Sequence, residues 1–332
     1  MAKVRCPLAT AAGNFGDQTA LADENHLLTY RELDRQVSHV TGLLRTEGIS
    51  AGDRIAIAER NSFEFVLTLL ALWRLGAIAC PLNTRYPTSA LTQQAERIDC
   101  KYQIRCSPGD SQHLLPSLNQ IELDLSSDQP CNDAPGNNLI EFDQPATIIH
   151  TSGSTNTPKA VLHSFGNHYY SALGSNKNIP VGPGDRWLLS LPLYHVGGLG
   201  ILFRCLLGGG TIVMASQADS LLVQIAEHNI THLSLVTTQL RRLLDELRKH
   251  TGKPIGLKAI LLGGSSIPSG LVNEAQLSGL PIFRSYGLTE MASQVATSTA
   301  NDPSRPAVLD HRQLKISDND EILVKGNTLF LG

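Results

Sequence analysis

The sequence predicts an α/β fold with two doubly wound, mainly parallel sheets flanked by helices, and a small β lobe near the C-terminus. Apolar strand-like runs alternate with amphipathic helices, and this alternation is typical of parallel sheets covered on both faces. A length of 332 residues is enough for two or three packed lobes. The helical pattern ends near Val295. We therefore predict α/β lobes at 1–145 and 146–294 and a β lobe at 295–332.

The first lobe begins with a clear helix signal. Thr29 and Glu32 have the spacing of a capping box, in which the hydroxyl and the carboxylate each bind a free backbone N–H. Apolar positions on one face of this helix follow at Leu33, Val37, Val40 and Leu44. The next segments have the order of a βαβ unit, with a strand at 54–58, a helix at about 62–75 and a strand at 77–81.

The second half repeats this alternation. Strands are predicted at 232–236, 257–262 and 281–284, and helices at about 239–249 and 269–276. Short strands at 314–316 and 321–325 belong to the predicted β lobe. Segment 124–138 is rich in Asp, Ser, Pro, Asn and Gly, which predicts an exposed connection between lobes.

Composition favours an enzyme of small molecules. The net charge of −3 gives no electrostatic reason to expect nucleic acid or a membrane as partner. Six cysteines without a Cys-x-x-Cys pair predict free thiols in a reducing compartment. The N-terminus lacks the apolar core of a signal peptide, and the apolar stretch 65–80 is interrupted by Arg74 and Gly76. We expect a cytoplasmic protein.

Segment 151–159 has the composition of a phosphate-binding loop, and it follows the apolar run 146–150. Its glycine allows consecutive backbone N–H groups to converge on phosphate oxygens, and its hydroxyls and terminal lysine add donors and charge. These residues are Thr151, Ser152, Gly153, Ser154, Thr155 and Lys159. The loop is not a Walker A motif, because Pro158 precedes the lysine and Ala160 follows it. Taken alone, the segment would more often be a plain polar turn.

Further motifs follow this loop at 191–198, 261–268, 285–290 and 321–332. In this order they resemble the adenylate-forming superfamily of acyl-CoA synthetases, luciferases and nonribosomal-peptide adenylation domains, and the resemblance spans nearly the whole chain. Within that superfamily, segments 187–195 and 234–240 together with Arg204 are most similar to the 2-succinylbenzoate–CoA ligases of menaquinone biosynthesis.

The resemblance implies a reaction with ATP, Mg²⁺ and CoA. A carboxylic acid, 2-succinylbenzoate in the narrower reading, would become an acyl-adenylate and then a CoA ester. Two alternatives stay open: a ligase for another aryl or fatty acid, and a catalytically silent ligand-binding module. The family also implies a possible homodimer.

The resemblance assigns the nucleotide site residue by residue. ATP would contact Thr151, Ser152, Gly153, Ser154, Thr155, Lys159, Gly263, Gly264, Ser265, Tyr286, Gly287 and Thr289. Thr289 would contact the α-phosphate, Glu290 would bind Mg²⁺, and Tyr286 would stack near adenine. The alternative to these roles is structural: Glu290 would be an ordinary acid at a helix start, and Gly263 and Gly264 would form a plain turn after a strand. Asn156 stands where the family usually has glycine, and asparagine tolerates left-handed backbone geometry.

The acyl site is assigned to His195, Arg204, Gly263 and Leu288, and the catalytic residues to His195, Thr289 and Lys159. Arg204 lies in the apolar stretch 201–207, where an unpaired guanidinium is costly to bury. It would bind the second carboxylate of a dicarboxylic acid, or it would form a structural ion pair. We assign structural roles to His150, His163 and His168.

The chain ends within a motif that continues in the family. The resemblance therefore implies that an aspartate for the ribose, a hinge and a small C-terminal domain with a catalytic lysine are absent from this sequence. We expect these 332 residues to form the large N-terminal domain and to catalyse adenylation and CoA transfer weakly or not at all.

Overall fold

The computed structural model describes residues 3–106, 113–123, 139–151, 158–215, 219–249 and 256–332. The helices in these ranges are α1 (Pro7–Asn14), α2 (Tyr30–Thr46), α3 (Phe63–Leu75), α4 (Thr88–Arg97), α5 (Phe165–Asn178), α6 (Val196–Gly208), α7 (Leu221–Glu227), α8 (Thr237–Lys249) and α9 (Ser269–Leu277), with a 3₁₀ turn at Thr289–Met291.

The strands are β1 (Lys3–Arg5), β2 (Thr19–Ala22), β3 (Leu27–Thr29), β4 (Arg54–Ile57), β5 (Ile78–Pro81), β6 (Tyr102–Arg105), β7 (Asn119–Glu122), β8 (Leu139–Glu141), β9 (Pro145–Thr151), β10 (Lys159–Ser164), β11 (Arg186–Leu188), β12 (Thr211–Val213), β13 (His232–Leu235), β14 (Ala259–Leu262), β15 (Ile282–Leu288), β16 (Ser293–Thr297), β17 (Ala307–Val308), β18 (Arg312–Ile316) and β19 (Ile322–Gly326).

These strands form two large sheets, which confirms the predicted α/β class. One has six strands in the order β10-β9-β5-β4-β6-β7, and the other has nine in the order β17-β16-β15-β14-β13-β11-β12-β2-β3. Their central strands pair in parallel, while β10, β16, β17 and β3 pair antiparallel at the edges. Two-stranded sheets pair β1 with β8 and β18 with β19.

Sheet membership crosses the lobe limits that the sequence predicts. Strand β9 begins at the predicted limit, residue 145, and β10 lies beyond it. Both strands nevertheless belong to the sheet that contains β4 and β5. Strands β2 and β3 come from the first lobe but extend the nine-stranded sheet beyond β12. Parallel pairing joins strands that are distant along the chain, so a boundary drawn from sequence order does not coincide with the sheets.

Local signals set the helix ends as the sequence predicts. The Thr29 side chain accepts from the Glu32 N–H, and the Glu32 carboxylate accepts from the Thr29 N–H, so the capping box is confirmed. The apolar face of α2 is buried. Helix α3 ends at Gly76, whose φ of 84° lies in the left-handed region that glycine adopts without a steric penalty.

The largest apolar core joins the two sheets through α3, α5 and α6. Trp73 packs against Phe165 and Phe203, with ring centroids 6.4 and 4.8 Å apart, and its Nε1–H donates to the Ala146 carbonyl. Within the described ranges, no helix has both the length and the apolar character needed to cross a membrane. The predicted connection at 124–138 lies outside the described residues.

Candidate active site

A cavity of about 820 Å³ opens where β9 and three strands of the nine-stranded sheet end. The carboxyl ends of parallel strands are where ligands bind in open α/β sheets. The cavity collects most of the predicted site residues in the described ranges, namely Thr151, His195, Gly263, Gly264, Gly287, Leu288, Thr289 and Glu290. Segments far apart in sequence therefore share one wall.

The backbone around Thr289 and Glu290 is anchored from outside the cavity. The Thr289 carbonyl accepts from the Ala292 N–H at 3.0 Å and is 2.7 Å from Nε2 of His163. The Glu290 carbonyl accepts from the N–H of Phe330 at 2.9 Å. These bonds fix the backbone of the 3₁₀ turn, and both residues line the cavity.

The strand pair beside this turn requires unusual backbone geometry. A Cβ on Gly287 would lie 2.1 Å from the Ser293 carbonyl oxygen, so a larger residue would force β15 and β16 apart. Ala292 and Ser293 have φ values of 50° and 119°. Non-glycine residues at positive φ are costly and concentrate at functional sites.

A second wall is formed by the segment that ends at His195. Asn61 joins it to the start of α3, because its Nδ2 donates to the Leu191 carbonyl and its Oδ1 accepts from the Leu193 N–H, both at 2.9 Å. His195 is the N-cap residue of α6 and lines the cavity. The surrounding protein and, to a smaller extent, the Arg85 cation lower its pKa, so the ring is neutral near pH 7.

Arg204 lies behind the cavity wall, buried on α6. Its Nε donates to Ser175 Oγ at 2.9 Å and its Nη2 to Gln294 Oε1 at 3.0 Å, with a longer contact of 3.4 Å to Ser293 Oγ. The guanidinium carbon lies 5.2 Å from the ring centroid of Trp187, which is cation–π distance.

Arg204 keeps its charge without a carboxylate partner in the described part of the chain. Burial lowers its pKa to about 10, so it stays protonated at neutral pH. Its Nη1 is buried and has no hydrogen-bond partner among the described residues. The structural ion pair that the sequence left open is therefore not formed in these ranges. Ser293 and Gln294 line the cavity and separate it from Arg204.

The predicted phosphate loop is described only at its ends. Thr151 lines the cavity at the end of β9, and Lys159 begins β10, directly opposite Thr151 in the antiparallel pair. Lys159 is exposed and does not line the cavity. Ser152, Gly153, Ser154, Thr155 and Asn156 lie outside the described residues, so their predicted roles stay predictions.

Two further predicted residues lie beside the cavity wall. Ser265 is exposed, with its Oγ 3.1 Å from Thr237 Oγ1. Tyr286 is 39% exposed and pairs with Ala296 of β16, while its neighbours on β15 line the cavity. Their contacts with a nucleotide stay predictions.

Sequence reasoning missed several residues of the wall. They come from strand ends and from the segment after the 3₁₀ turn: Asn83, His150, Ser234, Ser285, Ser293 and Gln294. For His150, its position directly before the phosphate loop was an available signal. For Gln294, nothing local distinguishes the residue, because only folding brings it beside Arg204.

The three histidines with predicted structural roles differ in position. His163 and His168 are fully buried, with Nε2 of His168 2.7 Å from Thr147 Oγ1. His150 instead lines the cavity. Burial lowers the pKa of His150 and His163 to about 4, so both rings are neutral near pH 7.

Glu290 fits a magnesium ion that is held mainly by substrate. The described residues contain no group of three or more His, Cys, Asp or Glu side chains that would hold a metal by themselves. Mg²⁺ usually keeps several waters and binds through one or two carboxylates together with phosphate oxygens. A single carboxylate in the wall of a nucleotide-sized cavity is compatible with that coordination.

Comparison with known proteins identifies relatives along the whole chain. The family described as AMP-binding enzyme matches residues 8–332. The 2-succinylbenzoate–CoA ligase of Bacillus licheniformis is 32% identical over 333 residues, which cover 95% of this chain and 69% of that protein.

Solved structures of o-succinylbenzoate coenzyme A synthetase are also similar to this chain. The o-succinylbenzoate coenzyme A synthetase of Bacillus subtilis in complex with ATP and magnesium ion superposes with a TM-score of 0.89 and 29% identity, over 100% of this chain and 72% of that one. The complex of the same enzyme with the acyl-adenylate intermediate also has a TM-score of 0.89 and 29% identity, over 100% of this chain and 71% of that one.

Proposed function

We propose that this chain, which belongs to the family of AMP-binding enzymes, activates a carboxylic acid as an acyl-adenylate and passes the acyl group to CoA. We propose 2-succinylbenzoate as the acid, because the relative from Bacillus licheniformis is a 2-succinylbenzoate–CoA ligase. The observation that carries the proposal is that Thr289, Glu290, His195 and the glycines at 263 and 264 line one cavity, with a buried arginine behind it.

The reaction assigns a task to each of these groups. A carboxylate oxygen of the acid attacks the α-phosphorus of ATP, pyrophosphate leaves, and the acyl carbon then accepts the CoA thiolate while AMP leaves. Such transfers depend on alignment of the reactants and on stabilisation of charge on the phosphate. Thr289 donates to the α-phosphate, Glu290 binds Mg²⁺, and Lys159 neutralises the departing pyrophosphate.

His195 and Arg204 act on the acid. The neutral His195 ring donates a hydrogen bond to the reacting carboxylate without forming an ion pair that would weaken its nucleophilicity. Arg204 attracts the second carboxylate through the layer of Ser293 and Gln294. An acid with one carboxylate leaves the buried cation without a counter-charge, which disfavours such substrates.

An acid panel tests the proposal. The chain is incubated with ATP, Mg²⁺ and 2-succinylbenzoate, benzoate or octanoate, and pyrophosphate release is measured together with acyl-adenylate by mass spectrometry, first without and then with CoA. We expect release that depends on 2-succinylbenzoate and exceeds that with either monocarboxylate, and we expect the CoA ester only when CoA is added.

The other outcomes separate the alternatives. A preference for octanoate or benzoate would move the activity to another acid. Binding of acid and ATP without any pyrophosphate release, when the corresponding segment of a relative does release pyrophosphate under the same conditions, would favour the ligand-binding module. Absence of binding would contradict the proposal.

The cellular compartment and the oligomeric state of the protein are proposed separately. We propose a cytoplasmic enzyme, since CoA and ATP are available there and the cysteines that the structure describes are free thiols. We further propose a homodimer, which light scattering on the purified chain would test: a mass near 35.9 kDa would identify a monomer.

A further inference from the structure

We propose that His150 is a further phosphate-binding residue, which donates from Nε2 to the pyrophosphate part of ATP. The inference rests on the proposed function, since it places a ligand in the same cavity. It extends that function to a residue outside the motifs that identify the family.

The position of His150 puts it at the phosphate end of the cavity. It directly precedes Thr151 at the end of β9, and both residues line the cavity. In the antiparallel pair of β9 and β10, Thr151 lies opposite Lys159 and His150 lies opposite Ala160. The imidazole therefore lies in the part of the wall that ends at Thr151, the first hydroxyl of the predicted phosphate loop, while Lys159 begins the neighbouring strand outside the cavity.

The surroundings of the ring select its tautomer. Nδ1 is buried and has no hydrogen-bond partner in the described part of the chain, whereas Nε2 is not enclosed in this way. A neutral imidazole has one N–H, and a buried N–H without an acceptor is rarer and costlier than a buried lone pair. The proton therefore resides on Nε2, where it can reach a ligand in the cavity.

The neutral state of the His150 ring suits a phosphate group that must be bound and then released. Burial lowers the pKa of His150 to about 4, so the ring is a neutral donor before ATP binds. The other titratable groups that line the cavity are His195 and Glu290, and Lys159 lies outside it at the start of β10. A neutral donor adds a hydrogen bond to phosphate without the full attraction of a second fixed cation, so pyrophosphate can still leave.

The inference is tested by comparing the binding of ATP, which has a pyrophosphate part, with the binding of AMP, which has none. Calorimetry is performed on the 332-residue chain with His150 unchanged or replaced as His150→Ala and His150→Gln, using ATP with Mg²⁺ and, separately, AMP. We expect His150→Ala to weaken ATP binding roughly 10-fold, as expected for loss of one hydrogen bond to a charged group, and to leave AMP binding unchanged. His150→Gln, which keeps an N–H donor, should recover part of the loss.

The controls separate this inference from the proposed function. His228→Ala changes a histidine at the end of α7, outside the cavity, and should bind both nucleotides like the unchanged chain. If the unchanged chain binds ATP but His150→Ala binds it equally well, or if AMP binding falls as much as ATP binding, the inference is overturned while the proposed function stands. If the unchanged chain binds neither nucleotide, the proposed function fails.

Discussion

Two buried arginines that both donate to Gln294 differ in how completely their hydrogen bonds are satisfied. Arg204 on α6 is 1% exposed and Arg312 at the start of β18 is 6% exposed. Burial is the main cause that lowers the pKa of each to about 10. Nη2 of Arg204 donates to the Gln294 side chain, and Nε of Arg312 donates to the Gln294 carbonyl.

Their remaining nitrogens have different surroundings. Nη1 of Arg312 donates to the Asp310 carbonyl at 2.8 Å, and its Nη2 donates to the Ser171 carbonyl and hydroxyl at 2.9 and 3.0 Å. Nε of Arg204 donates to the Ser175 hydroxyl, but its Nη1 is buried without a partner among the described residues. Arg312, whose donors are all satisfied, joins the β18 hairpin to α5 and β16. Arg204, which has an unpaired donor in the described part of the chain, lies beside the cavity.

Satisfied and unsatisfied donors have different consequences for a buried cation. A buried cation that donates to several backbone carbonyls stabilises the fold, because its loss leaves those carbonyls without donors. A buried cation with an unfilled donor is costly for the fold. Its retention is explained if a substrate carboxylate supplies the missing charge.

The largest expected effect concerns stability. Replacing Arg312→Met leaves the Gln294, Asp310 and Ser171 carbonyls without this donor and should lower the free energy of unfolding by about 3 kcal/mol. The matched change Arg204→Met should cost less than about 1 kcal/mol or stabilise the fold, since it removes an incompletely satisfied charge. Urea denaturation of both variants measures the difference, and equal losses would break the comparison.

His163 differs from both arginines, because this buried side chain is neutral at pH 7. The pKa of His163 is about 4 in the fold and near 6.5 when unfolded, so between these values the unfolded chain binds a proton that the folded chain does not. Its contribution to stability is therefore present above pH 6.5 and is lost as pH falls toward 4. Between pH 7 and pH 4.5 this loss should reach about 2 kcal/mol.

The variant His163→Gln isolates this contribution, because glutamine keeps a donor for the Thr289 carbonyl and does not titrate. Urea denaturation at several pH values should show a weaker loss of stability on acidification than in the unchanged chain. His150 and His168 still titrate in both proteins, so only the difference between the two profiles is informative. Parallel profiles would show that His163 is not held neutral by the fold.

A third, smaller effect tests whether Arg204 acts on the acid and not on ATP. Lysine keeps the charge but lacks the planar fork and the reach to Gln294 and Ser175 together. Arg204→Lys should weaken 2-succinylbenzoate binding by roughly 10-fold, equivalent to about 1.4 kcal/mol, and leave ATP binding within about twofold. Calorimetry with each ligand measures both, and an equal loss for acid and nucleotide would indicate a general disturbance of the cavity.

The sequence predicts those parts of the molecule that depend on neighbouring residues. The capping box of Thr29 and Glu32 and the helix stop at Gly76 involve contacts within a few positions, so both could be predicted. The sheet order could not, because β2 pairs with β12 across most of the chain. No local sequence pattern around β2 indicates that β12 is its partner.

The same limit applies to the candidate site. Thr289 and Glu290 could be predicted because a short motif carries them, and the structure places both in the cavity wall. Gln294, which links the two arginines, has no such motif. The unfilled donor of Arg204 is likewise a property of packing, and the alternative of an ion pair could be tested only when its neighbours were known.

The most direct test of the account is a crystal structure of this chain with 2-succinylbenzoyl-adenylate. We predict that the phosphate lies within hydrogen-bond distance of Thr289 and that the free carboxylate lies against Ser293 and Gln294, on the side of Arg204. A ligand in another cavity, or a free carboxylate directed to solvent away from Arg204, would contradict the assignment of that cation to the acid.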